Sequence, residues 1–269
     1  MTTPPETSAS APDRGEVLFT LSADGVATLT LSRPHKLNAV TSDMARQLFA
    51  LADDLNRDPA VRVVVVRGAG ERAFCAGSDI TLLDDYGSNW DLRNRRDYCS
   101  AIWGIRKPVI AQIHGSCMGG GLELAMMCDI RVSAHSARYA ASEARWGWNG
   151  GAGNTQLLPR LVGAGKALQM LLTAQPIDAQ EAHRCGLVQE LVADDALEET
   201  VNTLARQIAQ NPLIALQTCK HLVRVSESTS LEVGLAYEND LFAYCMTTED
   251  AQEGRRAFAE KRPPVYKGR

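Results

Sequence analysis

Glu123 stands one turn into a predicted apolar helix that opens with three glycines, Gly119, Gly120 and Gly121. Glycine lets another group approach the backbone closely, and the N–H groups of a first helical turn have no partner within the helix. The positive end of the helix dipole favours negative charge that develops there. A carboxylate among leucine, alanine and methionine side chains should have a raised pKa, which suits an acid or a base. The alternative is a surface glutamate that only complements the dipole.

Glu143 precedes a glycine-rich loop that carries Trp146 and Trp148 and ends in the sequence GAGNT at residues 151–155. A loop rich in glycine and aromatic residues more often lines a pocket than fills a core. Two carboxylates in one dry cleft can act as acid and base, because burial and mutual repulsion separate their pKa values. A single glutamate in a loop is otherwise a solvated charge.

Ser78 belongs to the short sequence AGSD, residues 76–79, which follows a predicted buried strand. Ligands of α/β proteins bind where the carboxyl ends of strands meet. The N–H of Ser78 is therefore expected to point into the same cleft as the N–H of Gly120. Taken alone, the same four residues also fit an ordinary turn.

Hydrophobic periodicity predicts the elements that must position these residues. Two unbroken β-branched runs, residues 61–67 and 108–114, are typical of strands buried on both faces, and each precedes a glycine-bearing loop. Residues 81–106 are predicted to be a mobile loop that leads into a helix. The other predicted strands are residues 16–22, 26–32 and 129–133, and the predicted helices are residues 41–56, 119–127, 164–172, 178–184, 195–210, 212–225 and 231–245. The fold class is therefore α/β, a mostly parallel sheet wrapped by helices, with a helical C-terminal region.

The composition argues against several classes of protein. A chain of 269 residues with 45% hydrophobic residues can bury a large core, and its net charge of −4 leaves no basic stripe for nucleic acid or a membrane. The seven cysteines show no CxxC spacing, which predicts thiols in a reducing cytoplasm and neither disulfides nor a zinc site. Residues 1–14 are predicted to be a disordered tail and not a signal peptide. No apolar stretch reaches the ~20 residues that span a bilayer.

Five short sequences, taken in order, resemble the crotonase (enoyl-CoA hydratase/isomerase) superfamily, and in motif the enoyl-CoA hydratases most. They are RPHKLNA at residues 33–39, AGSD at 76–79, GGGLE at 119–123, GAGNT at 151–155 and FAEKRPP at 258–264. The second glutamate also stands at the family's spacing from the first. The similarity extends from about residue 16 to residue 269.

The resemblance implies a crotonase-type ββα spiral core in residues 15–200 and a helical oligomerisation region in residues 201–269, in a homotrimer or a dimer of trimers. It implies that the N–H groups of Ser78 and Gly120 bind the thioester oxyanion, and that Glu123 and Glu143 are the catalytic carboxylates. The expected substrate contacts are Lys36, Leu37, Ala39, Ala76, Asp79, Ile80, Trp146, Trp148, Gly151, Phe258 and Lys261. The implied partner is an acyl-CoA thioester, and CoA enters as part of the substrate, with no other cofactor and no metal.

The chain departs from the family pattern near the second glutamate. Ser142 stands where many hydratases have proline, two tryptophans replace a short aliphatic stretch, and Asn154 stands where many have glycine. The indoles predict a short, cyclic or aromatic acyl group, with Asn154 or Asn149 as a partner for an indole N–H or for a polar group of the substrate. Further wall residues are expected at Tyr86, Trp90 and Trp103. The alternative is that these indoles fill the core or subunit contacts.

The leading hypothesis is hydration of an α,β-unsaturated acyl-CoA through an oxyanion-stabilised enolate. Its rivals in the same superfamily are double-bond isomerisation, hydration of a cyclic dienoyl-CoA, and hydration with cleavage of an aromatic acyl-CoA. An isomerase needs only one base, so the pair of glutamates favours hydration. A rival of another class is a member that binds without catalysing, because a fold does not fix a function.

Overall fold

The computed structural model describes residues 13–80 and 87–269. Residues 1–12 of the predicted tail and Tyr86 of the predicted pocket wall lie outside the described residues. Within the two ranges, no helix combines the length and the apolar character that crossing a bilayer requires. The same ranges contain no cluster of three or more His, Cys, Asp or Glu side chains arranged to hold a metal ion.

The larger sheet is the platform of the fold. The strands, in chain order, are β1 (Glu16–Leu21), β2 (Val26–Ser32), β3 (Val63–Gly68), β4 (Ala73–Cys75), β5 (Val109–Ile113), β6 (Ser116–Met118), β7 (Ile130–Ala134), β8 (Arg138–Ala140), β9 (Ile177–Asp178) and β10 (Glu190–Val192). Among the described residues, the larger sheet has the order β1-β2-β3-β5-β7-β10. Only β1 and β2 pair antiparallel in it. The valines of β3 are buried, as their unbroken apolar run predicts.

The smaller sheet carries the strands that lead into the site. Its order in the described residues is β4-β6-β8-β9, and β4, β6 and β8 run parallel. The sequence does not predict this sheet. Each of its strands has only two or three residues, which is too short for an alternating pattern to be recognised.

Helices cover the sheets and form the last third of the chain. They are α1 (Ser42–Arg57), α2 (Asn89–Arg93), α3 (Tyr98–Trp103), α4 (Gly120–Met127), α5 (Leu157–Val162), α6 (Ala164–Thr173), α7 (Ala179–Arg184), α8 (Leu197–Ala209), α9 (Leu213–Ser226), α10 (Leu231–Met246) and α11 (Glu249–Glu260). Helix α1 begins where predicted, because the Thr41 hydroxyl accepts the N–H of Met44 at 3.2 Å. The short α2, α5 and the last helix, α11, were not predicted.

An ion pair fixes the C-terminal helices on the sheet. Lys220 of α9 lies 2.6 Å from Asp129 and also donates to the carbonyl of Lys107 at 2.8 Å. Arg224, one turn further along α9, reaches the same carboxylate at 3.3 Å.

The architecture as a whole, an α/β fold with a helical C-terminal region, is the one that the sequence predicts.

Candidate active site

Ser78 and Gly120 lie side by side because they follow neighbouring strands. β4 and β6 are paired in parallel, so the loop after Cys75 and the start of α4 leave the same edge of the smaller sheet. Both turns need glycine, since φ is 96° at Gly77 and 55° at Gly119. A Cβ built on Gly120 would lie 3.4 Å from the nitrogen of Ser78. Neither of these two N–H groups donates to an acceptor among the described residues.

The hydroxyl of Tyr98 closes one side of this pair of N–H groups. Tyr98 is 6% exposed, and burial raises the pKa of its hydroxyl well above the ordinary value. Its oxygen lies 3.5 Å from the hydroxyl of Ser78. A Cβ built on Gly120 would overlap the same oxygen. Position 120 therefore has no room for a side chain while Tyr98 is present.

Glu123 is buried at the start of α4, with 5% of its surface exposed. One of its oxygens, Oε1, accepts the N–H of Ala152 at 2.8 Å and the N–H of Asn154 at 3.1 Å. Burial raises the pKa of this carboxyl to about 7; the two N–H groups lower it, and the charges of Glu143 and Asp97 raise it further. The sequence context predicts the same direction of shift.

Glu143 begins a short 3-10 helix, Glu143–Trp146, and is 8% exposed. Its Oε1 accepts the side-chain amide of Asn154 at 2.7 Å. Burial raises the pKa of this carboxyl above its ordinary value, and the bond from Asn154 acts in the opposite direction. A Cβ built on Gly119 would lie 3.5 Å from Oε1, so Glu143 also lies close to the turn that starts α4.

Asn154 connects the two carboxylates. Its backbone N–H donates to Glu123 and its side-chain NH₂ donates to Glu143. The side chain is fully buried. The expectation that Asn154 partners an indole N–H is wrong, because its Oδ1, the atom that would accept that N–H, has no hydrogen-bond partner among the described residues. The amide of Asn149 donates to the carbonyl of Gly150 at 2.8 Å.

A cavity of about 510 Å³ lies in front of Ser78. The predicted contacts on its wall are Lys36, Ala39, Ala76, Asp79, Ile80 and Trp146. Arg145 also lines it, next to Trp146 in the chain. Glu123 and Glu143 are not on this wall, although Ser142, which precedes Glu143, is.

The turn at residues 33–39 is built around two buried polar side chains. Arg33 is 6% exposed and forms an ion pair with Asp79 at 2.7 Å, which ties this turn to the loop of Ser78. The Asn38 side chain accepts the N–H of Arg33 at 3.0 Å and donates to the first carbonyl of β4 at 2.8 Å. Leu37 does not line the cavity; its carbonyl accepts the N–H of Ala76 at 3.0 Å. Leu37 therefore supports the loop of Ala76 through its backbone carbonyl.

Other predicted contacts lie outside the cavity. Trp148 is 42% exposed and is not on the wall. Gly151 lies beside the glutamates, and a Cβ built on it would lie 2.6 Å from the guanidinium of Arg95. Phe258 is 88% exposed near the end of α11, and Lys261 is the left-handed residue that caps this helix. In a single chain these two C-terminal residues are not part of the cavity wall.

The two remaining tryptophans do not form the predicted wall. Trp103 packs under the guanidinium of Arg224, which lies 3.8 Å from its ring centre, between α3 and the C-terminal helices. Trp90 is 68% exposed. The prediction is wrong for these two indoles because the segment before β5 folds into two separate helices, α2 and α3.

Sequence reasoning missed Tyr98 and Arg145, and it recognised Asn154 only as a departure from the family pattern. A tyrosine in a segment predicted as a loop leading into a helix carries no signal that it faces a glycine far along the chain. Asn154 did carry a signal, because a buried amide stands where many hydratases have glycine.

Comparisons with known proteins show the family to which the chain belongs. Residues 22–269 match the enoyl-CoA hydratase/isomerase family. The chain is 36% identical over 241 residues to the short-chain-enoyl-CoA hydratase of Clostridium acetobutylicum, covering 88% of this chain and 92% of that protein. It is 34% identical over 245 residues to the (E)-benzylidenesuccinyl-CoA hydratase of Thauera aromatica, covering 90% of this chain and 96% of that protein. The crystal structure of an enoyl-CoA hydratase from Bacillus anthracis matches it with a TM-score of 0.87 and 34% identity, covering 94% of this chain and 99% of that chain. The predicted resemblance is confirmed: the chain belongs to the enoyl-CoA hydratase/isomerase (crotonase) family.

Proposed function

We propose that this protein is a lyase that hydrates the double bond of an α,β-unsaturated acyl-CoA thioester. The observation that carries the proposal is the pair of buried carboxylates, Glu123 and Glu143, joined through Asn154. Glu123 lies in the first turn of α4, whose first N–H, that of Gly120, adjoins the N–H of Ser78, and Glu143 lies close to Gly119, which precedes this helix. No cofactor is required, since CoA enters as part of the substrate.

The two backbone N–H groups serve as the oxyanion hole. Attack of water on C3 moves the π electrons of the double bond toward the thioester oxygen, which becomes the enolate oxygen. Preorganised donors at Ser78 and Gly120 stabilise this charge by about 3–4 kcal/mol per donor. One glutamate takes a proton from the water and the other gives a proton to C2, so that the elements of water are added across the bond.

Hydration fits the site better than isomerisation does. Moving a double bond needs one base that removes a proton and returns it, whereas hydration needs a base for water and an acid for C2. Glu123 and Glu143 are both buried, and burial raises the pKa of both carboxyls, to about 7 for Glu123, so a carboxyl that can give a proton near neutral pH stands beside a second carboxyl. Loss of either carboxyl would have favoured an isomerase or a non-catalytic protein.

The acyl group is short, cyclic or aromatic in this proposal. Trp146 lies on the wall of the same cavity as Ser78, and its rigid apolar face suits a flat acyl group. The (E)-benzylidenesuccinyl-CoA hydratase of Thauera aromatica, whose name describes an aromatic acyl group, is 34% identical to this chain. Hydration of an aromatic enoyl-CoA is therefore the second candidate reaction.

CoA lies along the turn at residues 33–39 in this proposal. Lys36 and Arg145 bring positive charge to the cavity wall, which suits the phosphates of CoA. Phe258 and Lys261 are proposed as further contacts of CoA, although neither lies on the wall within one chain.

Residues 201–269 serve as the oligomerisation region, in a homotrimer or a dimer of trimers. The support is the exposed apolar surface of α10, where Leu231 is 78% exposed, Leu235 56% and Phe242 61%. Monomeric proteins rarely leave such a contiguous surface open to water. Light scattering of the purified protein tests this, and Phe242→Asp should give a smaller assembly than the wild type.

A reducing compartment, the cytoplasm, is proposed from the cysteines. All seven are free thiols, and Cys75, Cys99, Cys117 and Cys128 are buried. In an oxidising compartment, the thiol of Cys219, which is at the surface, would be open to disulfide exchange.

The decisive assay follows the ultraviolet absorbance of the enoyl thioester as the purified protein consumes it. Crotonyl-CoA, cinnamoyl-CoA and a cyclic dienoyl-CoA should be compared, with mass analysis of each product. Gain of the mass of water supports hydration, and loss of the acyl tail as an aldehyde indicates cleavage after hydration. A product of unchanged mass indicates an isomerase, and no turnover with any thioester would contradict the proposal.

A further inference from the structure

The hydroxyl of Tyr98 is a buried donor without a close acceptor. Tyr98 is 6% exposed, and within residues 13–80 and 87–269 its oxygen has one hydrogen-bond partner, the hydroxyl of Ser78 at 3.5 Å. Two hydroxyl oxygens that share a hydrogen bond are usually about 2.8 Å apart, so this contact is weak. A buried tyrosine O–H normally finds a closer partner, because an unpaired donor costs free energy. The phenolic hydrogen is therefore available to an acceptor that enters the site.

The polar groups that surround Tyr98 in the protein are already engaged. Oδ1 of Asp97 accepts the N–H of Cys99 at 3.0 Å, and Oδ2 of Asp97 pairs with Arg95 at 3.0 Å. The carbonyl of Gly120 accepts the thiol of Cys99 at 3.6 Å. These bonds fix the first turn of α3 against the start of α4, and none of them includes the phenol.

The phenolic oxygen shares one small space with the N–H groups of Ser78 and Gly120. A Cβ built on Gly120 would overlap the oxygen of Tyr98 and would lie 3.4 Å from the nitrogen of Ser78. The nitrogen of Gly120 is one bond from the same Cα. Donors that are each about 2.9 Å from one acceptor can stand as much as about 5.8 Å from each other. All three donors are therefore close enough together to reach a single oxygen atom.

We propose that Tyr98 is a catalytic residue whose phenol donates a third hydrogen bond to the thioester oxygen, beside the N–H groups of Ser78 and Gly120. This inference rests on the proposed hydration. It adds a side-chain donor to an oxyanion hole that the family resemblance builds from two backbone N–H groups alone.

The phenol stabilises charge without giving up its proton. Burial raises the pKa of Tyr98 well above its ordinary value, so the hydroxyl stays protonated at neutral pH. As water adds to C3, negative charge develops on the thioester oxygen, and a neutral donor that is already held in place stabilises this charge without rearrangement. The atoms of the reaction are unchanged, because the protons still move between water, the carboxyls and C2.

Two isosteric variants separate this role from a general loss of packing. Tyr98→Phe removes one oxygen and keeps the ring. Tyr139→Phe is the matched control, because Tyr139 is also fully buried and its hydroxyl bonds to the hydroxyl of Ser133 at 2.6 Å. Urea denaturation shows that each variant is folded. A methyl group at position 120 would itself displace the phenol, so in Gly120→Ala the loss of this oxygen should have no further cost.

The first measurement is steady-state hydration of crotonyl-CoA. Tyr98→Phe should lower kcat by about tenfold to 100-fold, toward the effect of removing one oxyanion donor. KM should change less, because the thioester oxygen carries less charge in the bound substrate than in the transition state. Tyr139→Phe should match the wild type in both quantities.

The second measurement detects the hydrogen bond itself and needs no turnover. Butyryl-CoA, labelled with ¹³C at the thioester carbonyl, is saturated and cannot be hydrated, and the infrared band of its C=O group can be recorded when it is bound. Each hydrogen bond to the oxygen weakens the C=O bond and lowers its stretching frequency. The band should therefore lie at a higher frequency in Tyr98→Phe than in the wild type, and Tyr139→Phe should leave it unchanged.

The two measurements distinguish failure of this inference from failure of the proposed function. If the wild type hydrates crotonyl-CoA and the carbonyl band is the same in Tyr98→Phe, the phenol does not touch the thioester, and the inference is overturned while hydration stands. This holds even if kcat falls, since the hydroxyl would then act only by packing against Gly120. If the protein binds butyryl-CoA but hydrates no enoyl-CoA, the proposed function fails, and Tyr98 loses its catalytic role with it. If butyryl-CoA does not bind, both proposals fail.

Discussion

The phenolic oxygen of Tyr98 occupies the space that a side chain at Gly120 would need. Tyr98 comes from α3 and Gly120 opens α4, two helices that pack against each other beside the smaller sheet. The same oxygen lies 3.5 Å from the Ser78 hydroxyl, so one buried side chain touches both halves of the proposed oxyanion hole. The glycine at position 120 is therefore required by packing as well as by the approach of the substrate.

Gly120→Ala should lower kcat about 10²-fold or more, because the added methyl group displaces either Tyr98 or one of the two N–H donors. Binding of CoA should be less affected, since the turn at residues 33–39 is untouched. Steady-state kinetics with crotonyl-CoA measures both quantities. Gly165→Ala is the matched control, as it adds the same methyl group in a helix where nothing lies within 4 Å.

A double variant shows whether Gly120→Ala acts by displacing Tyr98 or by blocking the substrate. Tyr98→Phe removes the oxygen that collides with the new methyl group, so Tyr98→Phe/Gly120→Ala should recover part of the lost kcat. If the double variant is no better than Gly120→Ala alone, the methyl group acts by blocking the substrate and not by displacing Tyr98.

The pair of glutamates makes a second prediction. Glu123→Gln and Glu143→Gln should each lower kcat by at least about 10², because hydration needs an acid and a base together. Affinity for a saturated acyl-CoA should persist, since the backbone donors remain. Glu190→Gln, at an exposed position on β10, is the control and should behave as the wild type.

Calorimetric titration with butyryl-CoA measures the affinity beside the kinetics. Near-normal hydration by Glu143→Gln would contradict the two-carboxylate mechanism and favour a one-base isomerase. Loss of binding in either variant would instead show that the glutamates shape the site.

The stability of the protein should depend on pH through Glu123. Its pKa is about 7 in the folded protein against an ordinary value of 4.5. A carboxyl with a raised folded pKa stabilises the fold below its unfolded pKa, and this stability is lost as the pH rises from 4.5 toward 7. Glu123→Gln keeps an acceptor for Ala152 and Asn154 but cannot ionise. It should therefore be more stable than the wild type by about 3 kcal/mol at pH 8, from ~1.36 kcal/mol per pKa unit.

Urea denaturation of both proteins at pH 5 and pH 8 measures this difference. The advantage of Glu123→Gln should be small at pH 5 and large at pH 8. An advantage that is equal at the two pH values would show that Glu123 titrates at an ordinary pKa in the folded protein.

The main elements of the fold were predictable because their signals are local. Helix α1 has an N-cap at Thr41 and buried residues at helical spacing, and β3 is an unbroken run of valines. The smaller sheet was not predictable, since strands such as β4 and β8 have three residues and depend on partners far along the chain. The strand ends that place Ser78 beside Gly120 belong to this sheet, so the family motifs indicate the site although the sequence does not predict the strands that position it.

The limits are clearest for side-chain directions. The apolar neighbours of Glu123 predict its burial, because every residue around it in the sequence is apolar or small. Nothing local predicts that the amide of Asn154 turns toward Glu143. That choice depends on the 3-10 helix that carries Glu143 and on the loop that carries Asn154, which meet only in the folded chain.

The acyl preference makes the last prediction. Trp146 borders the cavity in front of Ser78, while Trp148 does not, so only the first indole is positioned to limit the acyl chain. Trp146→Ala should open space beyond C4, and longer straight-chain enoyl-CoAs should gain in kcat/KM relative to crotonyl-CoA. One methylene in an apolar pocket changes discrimination by about 1–3 kcal/mol, so the gain should reach roughly tenfold or more. The measurement is the chain-length profile from crotonyl-CoA to decenoyl-CoA.

Trp148→Ala is the matched control for this prediction, because it removes an equal indole that is 42% exposed and lies off the cavity wall. Its chain-length profile should coincide with that of the wild type. If Trp146→Ala also coincides, the indole does not meet the acyl group, and the preference must be set by the segment around Tyr86. If instead only Trp148→Ala favours long chains, the acyl chain extends from the thioester toward Trp148 and not toward Trp146. Assays with cinnamoyl-CoA test whether the indole of Trp146 binds flat acyl groups. If it does, Trp146→Ala should lower kcat/KM for cinnamoyl-CoA and raise kcat/KM for decenoyl-CoA.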